Sequence, residues 1–163
     1  MSGSFLRTVG LSTHETLTVT LVSVVLLLVG CGDRTTRGYH LNEKSFDAQA
    51  LRMVEDSIGF GLPKGTRGLH MFYVGSSIDP AFVAKVEIPT SEWETTVAKI
   101  QGLEGIPHAG DNDVYNSLTG QVKWWSPTNR TVFKRYYRVH CLVGVWCCKE
   151  DAASVLYLEW VTF

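Results

Sequence analysis

Thr131-Val132-Phe133-Lys134-Arg135-Tyr136-Tyr137-Arg138-Val139-His140-Cys141-Leu142-Val143-Gly144-Val145-Trp146-Cys147-Cys148 is dense in aromatic and β-branched residues. Such side chains fit a pleated, half-buried surface, so this stretch predicts strand. Lys149-Glu150-Asp151-Ala152-Ala153-Ser154 interrupts it as the strongest turn signal, and Val155 to Phe163 reads as a last strand. With the bend there, Cys141 and Cys147 share one strand, about 20 Å apart. Bridged cysteines need Cα atoms within about 7 Å, so the two cannot pair. A competing register bends at Gly144-Val145 and sets Cys141 opposite Cys148. The more polar break is preferred, because valine is a poor turn residue. Three free thiols are therefore expected.

Upstream of this hairpin the pattern mixes helix and strand. Phe46, Ala50, Val54 and Ile58 recur every four residues, with Asp47, Arg52 and Glu55 off the stripe. That predicts an amphipathic helix from about Ser45 to Ile58. Gly59, Gly61 and Pro63-Lys64-Gly65 end it. Leu69 to Val74 reads as a strand, Ser76-Ser77-Ile78-Asp79-Pro80 as a turn, and Phe82 to Ile88 as a second, alternating strand. Ser91-Glu92-Trp93-Glu94 has the form of a capping box opening a second helix to about Gln101, with Trp93, Val97 and Ile100 on its apolar face. Leu103 to Gln121 has no period and reads as a long loop. The element order predicts an α+β fold: a mostly antiparallel sheet of four to five strands with two helices on one face.

The N-terminal part is different in kind. From Leu17 to Gly30 the chain carries no charge and is rich in Leu and Val. That length suits a signal-peptide apolar region and falls short of the roughly 20 residues of a spanning helix. Leu28-Val29-Gly30-Cys31 resembles the lipobox of bacterial lipoproteins. The resemblance implies cleavage after Gly30 and lipidation of the Cys31 Sγ. Leu62-Pro63, Trp124-Trp125-Ser126-Pro127 and Val155 to Trp160 are similar to stretches of small uncharacterised bacterial lipoproteins, which implies a fold but no activity. The expected organisation is a signal peptide over 1–30, a lipidated cysteine and tether over 31–41, and a single domain over 42–163. The tether would reach at most about 35 Å.

Composition narrows the function classes. Hydrophobic residues are 45% and charged residues 19%, which argues for a packed core, and the net charge of −1 gives no field to steer nucleic acid. With Cys31 lipidated, Cys141, Cys147 and Cys148 are an odd set, so no complete disulfide framework forms within one chain. His140 beside these cysteines suggests a metal or redox site, but the paired spacing of structural zinc is missing. Asp111-Asn112-Asp113 with Asn116 offers hard oxygens, yet lacks the glycine and terminal glutamate of a calcium loop. Arg130, Lys134, Arg135 and Arg138 among Phe133, Tyr136 and Tyr137 superficially resemble a nucleic-acid stacking surface. A strand's polar face is the simpler account. Trp124 and Trp125 are adjacent, so one is free to be core and the other a contact surface.

The expectation is thus an exported lipoprotein of the cell envelope, membrane-anchored through Cys31. Its small domain would be non-catalytic, with a binding or structural role toward an envelope protein or the cell wall. No cofactor, metal or nucleic acid is expected. The alternative is a small hydrolase or metal-dependent enzyme on the 103–121 loop, using His108, Asp111 and Asp113.

Overall fold

The structure is a computed structural model that describes residues 37–75, 79–105 and 116–163. Its strands are β1 (Arg37–Asn42), β2 (Arg67–Gly75), β3 (Ala81–Ile88), β4 (Arg130–Arg138), β5 (Cys141–Glu150) and β6 (Ala153–Thr162), and its helices are α1 (Ala48–Ile58), α2 (Trp93–Gln101) and α3 (Asn116–Thr119). The strands form one sheet in the order β1-β2-β3-β6-β5-β4, with every neighbouring pair antiparallel. The α+β class stands, but the sheet has six strands rather than four to five. After β3 the chain leaves the centre of the sheet and reaches β4 at the far edge. It then returns through β5 to β6, which closes the sheet on β3 from Ala81↔Val161 to Ile88↔Ser154.

The strand that sequence patterning missed is β1, inside the stretch expected to be tether. It is mostly polar and exposed, so it carries no alternation. It is held instead by pairing with β2 and by two stacked ring pairs, Tyr39 on Tyr73 and His40 on Phe72. The folded part therefore includes Arg37 to Leu41. The long aromatic stretch splits at Val139-His140, where Arg138 pairs with Cys141 and His140 takes φ 56°. The next bend is at Asp151-Ala152, between paired Glu150 and Ala153, inside the expected turn.

Two faces of the sheet are covered differently. On one, α1 and α2 contribute Val54, Ile58, Trp93, Val97 and Ile100 to a core with Met71, Phe82, Ala84, Val86, Val143, Val145, Leu156 and Leu158. On the other, Leu118 of α3 and Val122 pack on Phe72, Ala81, Val83 and Val161, and Trp124 and Trp125 extend this cover towards Trp146, Cys148, Val155 and Tyr157. The two long helices do share one face, as expected; the second face carries a strap from Leu118 to Trp125. Burial on both sides explains why β5 is buried without a break from Cys141 to Cys148.

Helix ends follow local chemistry. α1 begins at Ala48, later than expected, because Asp47 is the N-cap: its Oδ1 accepts from the amides of Gln49 (3.0 Å) and Ala50 (2.9 Å). Gly59 ends it at φ 82°. The expected capping box at Ser91 does not form. A 3₁₀ turn, Thr90–Glu92, runs straight into α2, and the N-cap residue Glu92 makes no side-chain cap bond. Phe46 precedes α1 and lies flat on Gly68 of β2, where a Cβ would stand 2.1 Å from the ring's Cγ. Gly68→Ala should therefore force the ring off its seat and destabilise the domain by about 1–3 kcal/mol. Urea unfolding of the two proteins checks this; equal midpoints would show that the ring moves freely.

Candidate functional site

The residues nominated for chemistry are scattered. Cys31, His108, Asp111 and Asp113 lie outside the described residues. Cys141, Cys147 and Cys148 are free, buried and all on β5, in the long-hairpin register. Cys147 faces the helices and Cys148 the strap. Burial, with Cys148 beside it, pushes the Cys147 thiol up to about 12, and burial, with Glu150 nearby, pushes Cys148 up to about 11. Both stay protonated and poorly nucleophilic at neutral pH. Among the described residues no three His, Cys, Asp or Glu side chains gather as metal ligands would.

Three of the four basic residues of β4, Lys134, Arg135 and Arg138, are engaged by other parts of the domain. Arg138 donates from Nη1 to the carbonyls of Asp56 and Ser57 in the last turn of α1, and the Tyr136 hydroxyl donates to Ile58 O at 2.6 Å. These bonds satisfy carbonyls that a helix end leaves open. Lys134 Nζ reaches Leu103 O at 3.2 Å. The tryptophans both lie half-buried in the strap. Trp124 stacks on His70 (centroids 5.4 Å apart), and Trp125 meets Trp146 and Tyr157 edge-on at 5.2 and 5.3 Å.

Arg135 points to the strap side, where Arg135, Gly144 and Glu159 share one rung of the sheet. Arg135 Nη2 stands 3.6 Å from Glu159 Oε2, and the two side chains are 6% and 4% exposed. Gly144 makes the room: a Cβ there would lie 3.3 Å from that carboxylate oxygen and 2.8 Å from the Trp146 ring. Loss of hydration raises the Glu159 carboxyl to about 7, and the Arg135 charge offsets part of that rise. Along the same face, Lys85 Nζ meets Glu150 Oε2 at 2.7 Å, and the Tyr157 hydroxyl donates to Glu150 Oε1. Burial and Glu150 raise the Tyr157 phenol. These groups pair within a packed layer, although among the described residues the buried Arg135 Nε has no hydrogen-bond partner there.

The open concavity lies on the other side, between α1 and the β4–β5 turn. It is a groove of about 570 Å³, with Met53, Val139, Cys141 and Trp160 as its apolar part and Gln49, Arg52, Asp56, Ser57 and Arg138 as its polar part. Its residues come from positions far apart in the chain. The signal in the sequence was the off-stripe side of the first helix, where Arg52 and Asp56 sit. What lines it is an apolar floor with hydrogen-bonding and charged groups at the rim.

The fold and groove together define an antiparallel α+β domain with an amphipathic concavity beside α1. No protein family, curated protein or solved structure matches the chain. Among the described residues no helix is long and apolar enough to cross a membrane.

Glu159 gives the domain a pH signature. Its folded pKa of about 7 exceeds the ordinary 4.5, so the folded state holds the proton more tightly than the unfolded chain. Its contribution to stability is then complete below about pH 4.5 and lost as pH rises through about 7. The slope is at most about 1.4 kcal/mol per pH unit. Glu159→Gln should remove that slope, whatever it does to absolute stability. Urea midpoints at several pH values across this window, for both proteins, check it; identical slopes would show an ionised Glu159 throughout.

Proposed function

We propose that the chain is a lipid-anchored protein of the cell envelope, whose domain binds or braces another envelope component without catalysing a reaction. The observation that carries this reading is the uncharged run Leu17 to Gly30, ending in the lipobox-like Leu28-Val29-Gly30-Cys31, immediately before a folded domain. A diacylglycerol thioether on Cys31, with acylation of the new amino terminus, supplies the two or more chains that stable anchoring needs. The start of β1 at Arg37 shortens the tether. Six residue steps separate it from Cys31, a reach of about 22 Å at most. A domain on so short a link works against the membrane that holds it or against something lying close to that membrane. The groove beside α1 supports a binding role, since it pairs an apolar floor with a charged rim.

Metabolic labelling with a clickable fatty acid, followed by mass spectrometry of the N-terminal peptide, tests the anchor. The wild type should begin at Cys31 and carry the lipid. Cys31→Ala should keep residues 1–30 and take up no label. A cleaved, unlipidated product from both proteins would identify an ordinary secretory leader and overturn the reading.

A further inference from the structure

At the β4–β5 turn the domain exposes apolar side chains together: Val139 is 85% exposed, Tyr137 66% and Phe163 62%. The Tyr137 and Phe163 rings meet edge-on at 6.0 Å. Val139 also lines the groove, next to Met53, Trp160 and the rim residue Arg52. Isolated apolar residues on a surface need no explanation, but a cluster on a protruding turn beside an apolar groove marks a contact surface.

The registers put Gly38, Val74, Ala81, Val161, Leu142 and Tyr137 on one rung that crosses the whole sheet. Gly38 follows Arg37, the residue through which the N-terminal segment enters the domain. Five strand spacings of about 4.8 Å separate the ends of this rung, so Tyr137 lies at most about 24 Å from Gly38. Sheet twist turns one edge against the other but cannot lengthen that path. The link from Cys31 reaches about as far. The length of the link thus permits the turn to come to the surface that holds Cys31. Short tethering keeps its effective concentration there high, which lets a small apolar surface suffice.

We propose that the β4–β5 turn, with Tyr137, Val139 and Phe163, docks into the interfacial layer of the anchoring bilayer. This rests on the lipid-anchor reading above. An aromatic ring and a short aliphatic side chain suit headgroup depth, where apolar bodies are buried and polar tips stay wet. Arg52 at the groove rim is placed to meet lipid phosphates. Docking would fix the domain's orientation and present the opposite end of the sheet, with the Asp151-Ala152 turn, away from the membrane.

The test uses the full chain, purified from membranes and reconstituted into vesicles of phosphatidylethanolamine and phosphatidylglycerol. A fluorophore is attached at Val139→Cys or, as control, at Ala152→Cys, since the native β5 thiols are buried. Nitroxide-labelled lipids should quench the Val139 probe several-fold more than the Ala152 probe and shift its emission to the blue. Tyr137→Asp in the Val139→Cys background should abolish the difference while the protein still floats with the vesicles. Equal quenching of the two probes in a sample that floats and carries the acyl mass would overturn the docking and leave the anchor standing. A sample with neither flotation nor acyl mass would overturn the anchor and the docking with it. A Val139 probe shielded in native membranes but not in vesicles would indicate a protein partner and overturn the bilayer as occupant.

Discussion

A strand buried from Cys141 to Cys148 without interruption demands cover on both sides of the sheet, and the rest of the molecule is arranged to provide it. α1 and α2 meet that demand on one face with a helical stripe each. The strap from Leu118 to Trp125 meets it on the other with two tryptophans laid against β5 and β6. Polar groups caught under this second cover are paired within the layer, Arg135 with Glu159 and Lys85 with Glu150. Gly144 is the small residue that lets the first pair meet. A buried pair of this kind is weak evidence for added stability, since desolvating both ions offsets much of their attraction. Removing Glu159 would leave the Arg135 charge buried without its counter-ion, whereas removing Arg135 would leave Glu159 protonated.

β4 links the sheet to the groove. α1 carries no basic residue in its last turn, so its carbonyls draw on tertiary partners. Arg138 and Tyr136 provide the donors, and Gly59 lets the guanidinium lie close, since a Cβ there would come 2.6 Å from Arg138 Nε. The same arginine lines the groove, whose wall is thereby held by the bonds that end the helix. Next to it Val139 and His140 turn the chain outward.

Legibility in the sequence followed periodicity. The stripe Phe46, Ala50, Val54, Ile58 and the face Trp93, Val97, Ile100 were readable because a core writes a 3.6-residue period. The long hairpin, and with it three unpaired cysteines, was readable from the polar break before Val155. β1 was not, since an edge strand held by ring stacking and backbone pairing has no apolar alternation. The Val139-His140 turn lacks glycine, proline and asparagine, so no turn chemistry announces it. The strap was hidden in a stretch that reads as loop, although the unbroken apolar run of β5 was a sign that a second cover had to exist. The site fared worse. Basic residues that looked like a surface on β4 are bonded to α1, to Leu103 and to Glu159, because sequence records which residues are charged and not what they meet. The groove joins α1 to the turn after β4, a separation no local pattern spans.

The two-sided burial of β5 is tested most directly by thiol accessibility in the folded Trp125→Ala variant. Cys147 and Cys148 are adjacent but face opposite layers, so each reports on one cover. With far-ultraviolet circular dichroism confirming the fold, alkylation read by mass spectrometry should reach Cys148 much faster than in the wild type. Cys147, under the helices, should stay protected. Cys148 remaining as inert as Cys147 would contradict the account, because the strap would then not be what shields that face.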